Sequence, residues 1–355
     1  MRYIWLDCDP GHDDATTIML ALNCSDVELI GVSTVHGNAS AHHTLSNAAR
    51  CLVAFGAPDT VKVYPGATQP LIRPARHDPE IHGVDGLGGV EHLPSATDPR
   101  VKSASTHPGG VIRAIEGIAQ AIRQRWNGGS GTQITLIATG PLTNIALFTS
   151  VYPELLAGID ELIFMGGGVG LGNRSSSAEF NILCDPEAAQ IALNAPIRKT
   201  MVPLNVTHTA IVTKALQARL LDPDTPPTHL DEPLPKATTT LRHMLSTLIS
   251  FFADTYESTF GFDQGPPLHD ALTIAYAAHP EIFSCRRFRV DVELSGSHTA
   301  GETVVDMWNY RQCDDSWGSN GKNCLVAESL KVDTFFEFFF ECVARCDAIS
   351  PLNKS

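Results

Sequence analysis

Tyr3-Ile4-Trp5-Leu6-Asp7-Cys8-Asp9-Pro10-Gly11-His12-Asp13-Asp14-Ala15 is the stretch on which the reading of this chain turns. Tyr3 to Leu6 is an apolar run that predicts a strand, Pro10-Gly11 supplies a turn, and Asp14 to Leu22 predicts a helix. Asp7, Asp9, Asp13 and Asp14 therefore crowd four carboxylates around the end of the first strand. Like charges at that density repel unless a cation sits among them. Oxygen donors favour a hard divalent ion such as Ca2+ or Mg2+ over zinc. An EF-hand is excluded, because the twelfth position counted from Asp7 is Ile18 and not a bidentate Glu. The helix dipole accounts for acids at Asp13 and Asp14 but not for Asp7 and Asp9 at a strand's end.

Working outward, strand-like and helix-like runs alternate. Strands are predicted at Val27 to Val35, Val61 to Tyr64, Gln133 to Ala138, Glu161 to Met165 and Arg198 to Val202. Helices are predicted at His42 to Phe55, Gly110 to Arg125, Pro141 to Thr149 and Pro186 to Leu193. Runs such as Ile134-Thr135-Leu136-Ile137-Ala138 are apolar throughout, as strands covered on both faces are. The pattern predicts an α/β fold with a single open, mostly parallel (mixed) sheet flanked by helices, its chemistry at the carboxyl ends of the strands. The second half predicts long helices at Ala237 to Tyr256, Leu268 to Ala278 and Thr334 to Cys346. Strands return at Phe288 to Leu294, Thr303 to Met307 and Leu325 to Ala327. Length alone, 355 residues, allows two domains. The Pro/Asp/Gly-rich stretches 222–235 and 312–322 read as surface insertions rather than hinges, so a single domain over 1–350 is expected.

With 25 Lys and Arg against 39 Asp and Glu the net charge is −14, which disfavours nucleic acid as a partner. No run approaches the roughly 18 apolar residues of a membrane span, and the N-terminus meets Asp7 too early for a secretory signal. Nine scattered cysteines, an odd number with no CxxC pair, fit reduced thiols and a cytoplasmic location, and argue against zinc.

Two later segments add chemistry. Met165-Gly166-Gly167-Gly168-Val169-Gly170-Leu171-Gly172-Asn173 follows a strand, yet no register gives GxGxxG and the chain lacks GxxxxGK[ST], so dinucleotide and triphosphate binding are poorly supported. Asn173, Glu179 and Asn181 instead offer amides and a carboxylate suited to a polyhydroxyl ligand. Late in the chain, Pro266-Pro267-Leu268-His269-Asp270 brings a histidine and a carboxylate to a helix start.

Taken in order, the DxDPGxDD start, Gly37-Asn38, Thr139-Gly140-Pro141-Leu142-Thr143-Asn144, the MGG to AEFN segment and His269-Asp270 resemble the inosine-uridine nucleoside hydrolase family, from about Tyr3 to Ala278. The resemblance implies Ca2+-dependent hydrolysis of ribonucleosides such as uridine and inosine to ribose and free base, in nucleoside salvage, by a homodimer or homotetramer. It implies Asp9 as calcium ligand and general base, with Asp14, Asp270 and the carbonyl of Thr139 as further ligands and Asp7 supporting them. Asp13, Asn38 and Asn181 resemble the groups that hold the ribose 2′ and 3′ hydroxyls, and Asn173 and Glu179 those that hold the 5′ hydroxyl. His269 is the implied proton donor to the departing base. His82 matches a position near the base or 5′ side, and Phe180 and Tyr256 are candidate apolar walls, Tyr256 on a mobile lid. His12, in what reads as a solvated turn, is expected to have no role. The rival readings are a haloacid-dehalogenase-like phosphatase, disfavoured by Pro10-Gly11 after the second Asp, and a non-catalytic calcium-dependent nucleoside or ribose binder, which would need the loss of ligands that are present here.

Overall fold

The computed structural model describes residues 1–224 and 233–354. Among the described residues nine strands form one sheet: β1 (Arg2–Cys8), β2 (Val27–Thr34), β3 (Val63–Pro65), β4 (Ile134–Ala138), β5 (Ile159–Met165), β6 (Lys199–Val202), β7 (Phe283–Val292), β8 (Thr303–Asp306) and β9 (Cys324–Leu330). Their order is β3-β2-β1-β4-β5-β6-β9-β7-β8. Pairing is parallel from β3 to β9, while β7 runs antiparallel to both β9 and β8. The mixed, mostly parallel sheet expected from the sequence is thus the one observed.

Alternation along β1 sends Ile4, Leu6 and Cys8 into a core shared with the helices His12–Asn23, Ala41–Ala54 and Val332–Ile349. Trp5 points to the opposite face, where it packs with Ile118, Ile122 and Phe148. Both faces are apolar because both are covered, which is why these strands read as continuous hydrophobic runs.

The order of strands reverses at β1: the chain leaves it for β2 on one side and later adds β4 on the other. The crevice above β1 and β4 is therefore where an open α/β sheet accepts a ligand, and the loops after Asp7 and after Ala138 both enter it. The long helix runs Thr240–Phe260, three residues later at its start and four at its end than the periodicity suggested. Thr239 caps it by accepting from the backbone N–H of Arg242, and Gly261 ends it in the left-handed region (φ 75°). β7 begins at Phe283, five residues before its predicted start, because β9 extends to Leu330 and pairs with the extra residues. Most of the expected 222–235 insertion lies outside the described residues. The 312–322 stretch is largely exposed and is fastened by Lys199, whose ammonium donates to the carbonyl of Trp317 at 2.9 Å. Among the described residues no helix is long and apolar enough to cross a membrane.

Candidate active site

Asp7, next to last in β1, has its backbone carbonyl and one carboxylate oxygen committed. Its carbonyl accepts from Thr139 N (2.9 Å), and its carboxylate accepts from Ser33 Oγ and from Asn144 Nδ2 (2.8 Å). Beyond the strand the chain turns at Pro10-Gly11, and the helix His12–Asn23 begins with Asp13 and Asp14 in its first turn. Asp14 is the most heavily bonded of the carboxylates. Gly11 N (2.9 Å) and Asn38 Nδ2 (3.1 Å) donate to its Oδ2, and Thr139 Oγ1 donates to its Oδ1 at 2.7 Å. Asp9 Oδ2 accepts from Asn38 N at 2.8 Å, whereas Asp9 Oδ1 has no partner although it is fully buried. Asp13 Oδ1 and Asp7 Oδ2 are two further buried oxygens without a partner among the described residues.

Asp270, delivered by the loop before the helix Ala271–Ala278, joins this group from the far end of the chain. Oxygens of Asp13, Asp14 and Asp270 all lie within 4.8 Å of one another. Burial is the main force raising the pKa of each of these groups; repulsion by neighbouring carboxylates adds to it at Asp9, Asp13 and Asp270, and hydrogen bonds oppose it at Asp7 and Asp14. Asp9 and Asp270 are pushed well above the ordinary carboxylate range, Asp13 and Asp14 are raised, and Asp7 reaches about 7. Buried carboxylates in this state ionise only beside a cation. The residues fit the calcium ion that the resemblance implies: the donors are all oxygen, three buried carboxylate oxygens lack any partner among the described residues, and several ligands converge from separate loops. Asp9, Asp14, Asp270 and the Thr139 carbonyl are the groups that would hold it. Asp9 stands beside the triad of closest approach, which includes Asp13.

Opposite the carboxylates a cavity is lined by Asp13, Asn38, Asp78, Ile81, His82, Thr139, Met165, Asn173, Arg174, Glu179, Phe180, Asn181, Phe252, Tyr256, Phe260, His269 and Asp270. Every substrate-binding candidate named from the sequence lies on it. Glu179 caps the short helix Phe180–Cys184, its carboxylate accepting from Asn181 N, Ile182 N and Gly167 N. Burial still raises its pKa to about 7 against those three bonds. Asn181 donates its amide to the carbonyl of Thr139 at 2.7 Å, tying the helix Phe180–Cys184 to the carboxylate cluster. Asn173 Oδ1 accepts from Phe180 N at 2.9 Å.

The apolar wall comes from the helix Thr240–Phe260. Tyr256 is buried and its hydroxyl lies 2.6 Å from His269 Nε2, while His269 Nδ1 lies 2.7 Å from Thr207 Oγ1. Burial holds His269 well below the usual histidine range and lifts the Tyr256 phenol well above its own. Tyr256 belongs to a packed helix face with Phe252 and Phe260. The even spacing of 252, 256 and 260 is the helical signal that would have found the other two aromatics.

His12 corrects the sequence reading. It is buried, not solvated, because the segment after His82 folds over it: its Nε2 sits 2.9 Å from the carbonyl of Gly88, and its Nδ1 lies 3.3 Å from His82 Nδ1. Asp78 and Arg174, also missed, form an ion pair at the mouth of the cavity, with the guanidinium 5.4 Å from the centre of the Phe260 ring. The contact joins residues 96 positions apart, so no local pattern announces it.

A family model described as "Inosine-uridine preferring nucleoside hydrolase" matches residues 4–337. The chain is 34% identical to the "Probable ribonucleoside hydrolase" of Dictyostelium discoideum, over 97% of this chain and 94% of that protein. It is 39% identical to the "Pyrimidine-specific ribonucleoside hydrolase RihA" of Shewanella woodyi, over 86% and 89%. Among solved structures it superimposes on the "Purine-Preferring Ribonucleoside Hydrolase from Gardnerella vaginalis" with a TM-score of 0.80 and 27% identity, covering 98% of this chain and all of that one.

Proposed function

This chain belongs to the inosine-uridine preferring nucleoside hydrolase family, and from that premise we propose that it hydrolyses the N-glycosidic bond of ribonucleosides, uridine and inosine among them, to ribose and free base. One Ca2+ per chain is part of the proposal, as are a homodimeric or homotetrameric state and a role in cytoplasmic nucleoside salvage. The observation that carries the reading is the facing arrangement of the cavity: orphaned, buried carboxylates at the β1/β4 switch on one side, and the Tyr256–His269 pair on the other.

Bound calcium supplies the positive charge that lets the carboxylates ionise and a water become acidic. Asp9 then accepts the proton from the attacking water, its unpartnered Oδ1 being the atom available for it. Asp13, Asn38 and Asn181 grip the 2′ and 3′ hydroxyls, and Asn173 and Glu179 the 5′ hydroxyl, so the sugar is held while C1′ is attacked. As the glycosidic bond breaks, positive charge grows on the ring, and the surrounding carboxylates favour it.

The base needs a proton from the other side. A neutral His269 that accepts from Thr207 at Nδ1 and donates Nε2–H to the Tyr256 oxygen leaves the phenol hydrogen free to reach the leaving base. Tyr256 is then the immediate donor and His269 the group behind it. The test is release of reducing sugar and free base from uridine, inosine, cytidine and adenosine in phosphate-free buffer. Release supports hydrolysis; intact nucleosides with calcium present would overturn it and favour a binding protein.

A further inference from the structure

We infer that Glu91, His92 and His243 form a second metal site, one for a borderline divalent transition ion such as Zn2+, which ties the segment 81–92 to the helix Thr240–Phe260. One ligand atom from each of the three residues lies within 4.8 Å of the others. His243 Nε2 is 2.7 Å from Glu91 Oε2, and the rings of His92 and His243 meet edge to face, 5.2 Å between centres at 71°. Two imidazoles and one carboxylate are the donor set that zinc, cobalt and nickel select, and that calcium and magnesium do not. All three side chains reach solvent, which leaves a fourth position open to water and gives the ion a path in.

The backbone points the same way. His92 is held in the left-handed region (φ 61°), a conformation that residues other than glycine adopt rarely and that often marks a functional constraint. The ring of His92 meets that of His243, and Glu91 N donates to Thr247 Oγ1, one turn further along the same helix, at 3.2 Å. The seam continues with Gly88 and Gly89 against the Phe251 ring, and with Thr255 Oγ1 donating to the carbonyl of Ile81 at 3.1 Å. The two elements that an ion would join are thus those carrying His82 on one side and Phe252 and Tyr256 on the other. The site would act as a clasp on the cavity wall and takes no part in the hydrolytic chemistry.

The test titrates Zn2+ and Co2+ into the full chain held in excess Ca2+, which keeps the carboxylate cluster filled. One ion per chain is expected by calorimetry, weakened at least about tenfold in His243→Ala and in Glu91→Gln and unchanged in His279→Ala, a control at another exposed histidine–carboxylate pair. His243→Gln, closer in size, should behave as His243→Ala while keeping the wild-type circular dichroism spectrum. The cobalt complex should show no thiolate charge-transfer absorption, and Zn2+ should slow amide exchange across residues 83–92 in the wild type alone. Nucleoside hydrolysis without added Zn2+ should be the same in His243→Ala as in the wild type. Binding that survives His243→Ala, a thiolate band pointing to Cys285 or Cys313, or the absence of binding would each overturn the assignment. An unchanged exchange pattern on saturation would overturn the clasp.

Discussion

Replacing Gly140 by Ala tests whether catalysis depends on where Asp9 is held. Gly140 follows Thr139 at the top of β4, and a methyl group there would come within 2.5 Å of Asp9 Oδ1 and 2.9 Å of Asp9 Cγ. Ordinary contact begins at 3.4 Å, so the carboxylate oxygen must retreat by about 0.9 Å. It has little freedom to do so, because Oδ2 is bonded to Asn38 N and rests against the Cα of Gly37, where an added Cβ would lie 1.9 Å away. Misplacing a reacting group by about 1 Å costs on the order of 100-fold in rate, equivalent to about 2.7 kcal/mol of barrier. Overpacking costs a further 1–3 kcal/mol or so in stability, too little to unfold a typical domain at 25 °C. The assay is ribose release from inosine at saturating calcium, read beside a thermal melt. A folded variant with kcat reduced about 100-fold is expected. A folded variant turning over at the wild-type rate would refute the claim that the wedged position of Asp9 matters.

Asp9→Asn should keep the fold and lose the proton acceptor, lowering kcat by about 10²–10⁴-fold; initial rates and a melting curve check both halves. Tyr256→Phe and His269→Ala should each impair inosine and uridine by roughly 10²-fold, and the double variant should be little worse than the poorer single one, because they act as a unit. Nitrophenyl riboside, whose leaving group departs without a proton, should be spared, and equal loss on it would remove the pair from the acid role. For the calcium-free protein, burial pushes the Asp7 and Glu179 carboxyls up to about 7, above the ordinary carboxylate range, and raises Asp13 in the same sense. The folded chain therefore keeps protons that the unfolded chain releases, so stability should fall as pH rises from about 4 to 7. Melts across that range in chelator should show the decline, and calcium should flatten it.

The fold was legible where its signals are local. The apolar run Tyr3 to Leu6, the Pro10-Gly11 turn and the helix behind them lie within some twenty residues, and their order carries the β1 crevice with it. The carboxylate cluster was legible for the same reason, and Asp270 entered through motif order although it folds in from the other end. What escaped depended on long-range packing. His12 looks solvated between Gly11 and Asp13 until Gly88, 76 positions away, is laid against its ring. The spacing of Phe252, Tyr256 and Phe260 marks one helix face, but periodicity does not say that this face looks onto a cavity rather than the core. The Asp78–Arg174 pair and the extra length of β7 have the same origin, since each is fixed by a partner distant in sequence. The Tyr256–His269 contact needed both a helix and a loop to be placed, so no local pattern announced it.

The most direct test of the central claim is to strip the protein with chelator and titrate calcium back while following ribose release from inosine and uridine alongside calorimetric occupancy. Activity that is absent in chelator and returns in proportion to a single ion bound per chain, in wild type but not in Asp270→Asn, is the expected result. Full turnover in exhaustively chelated protein, or calcium occupancy with no ribose released, would contradict it.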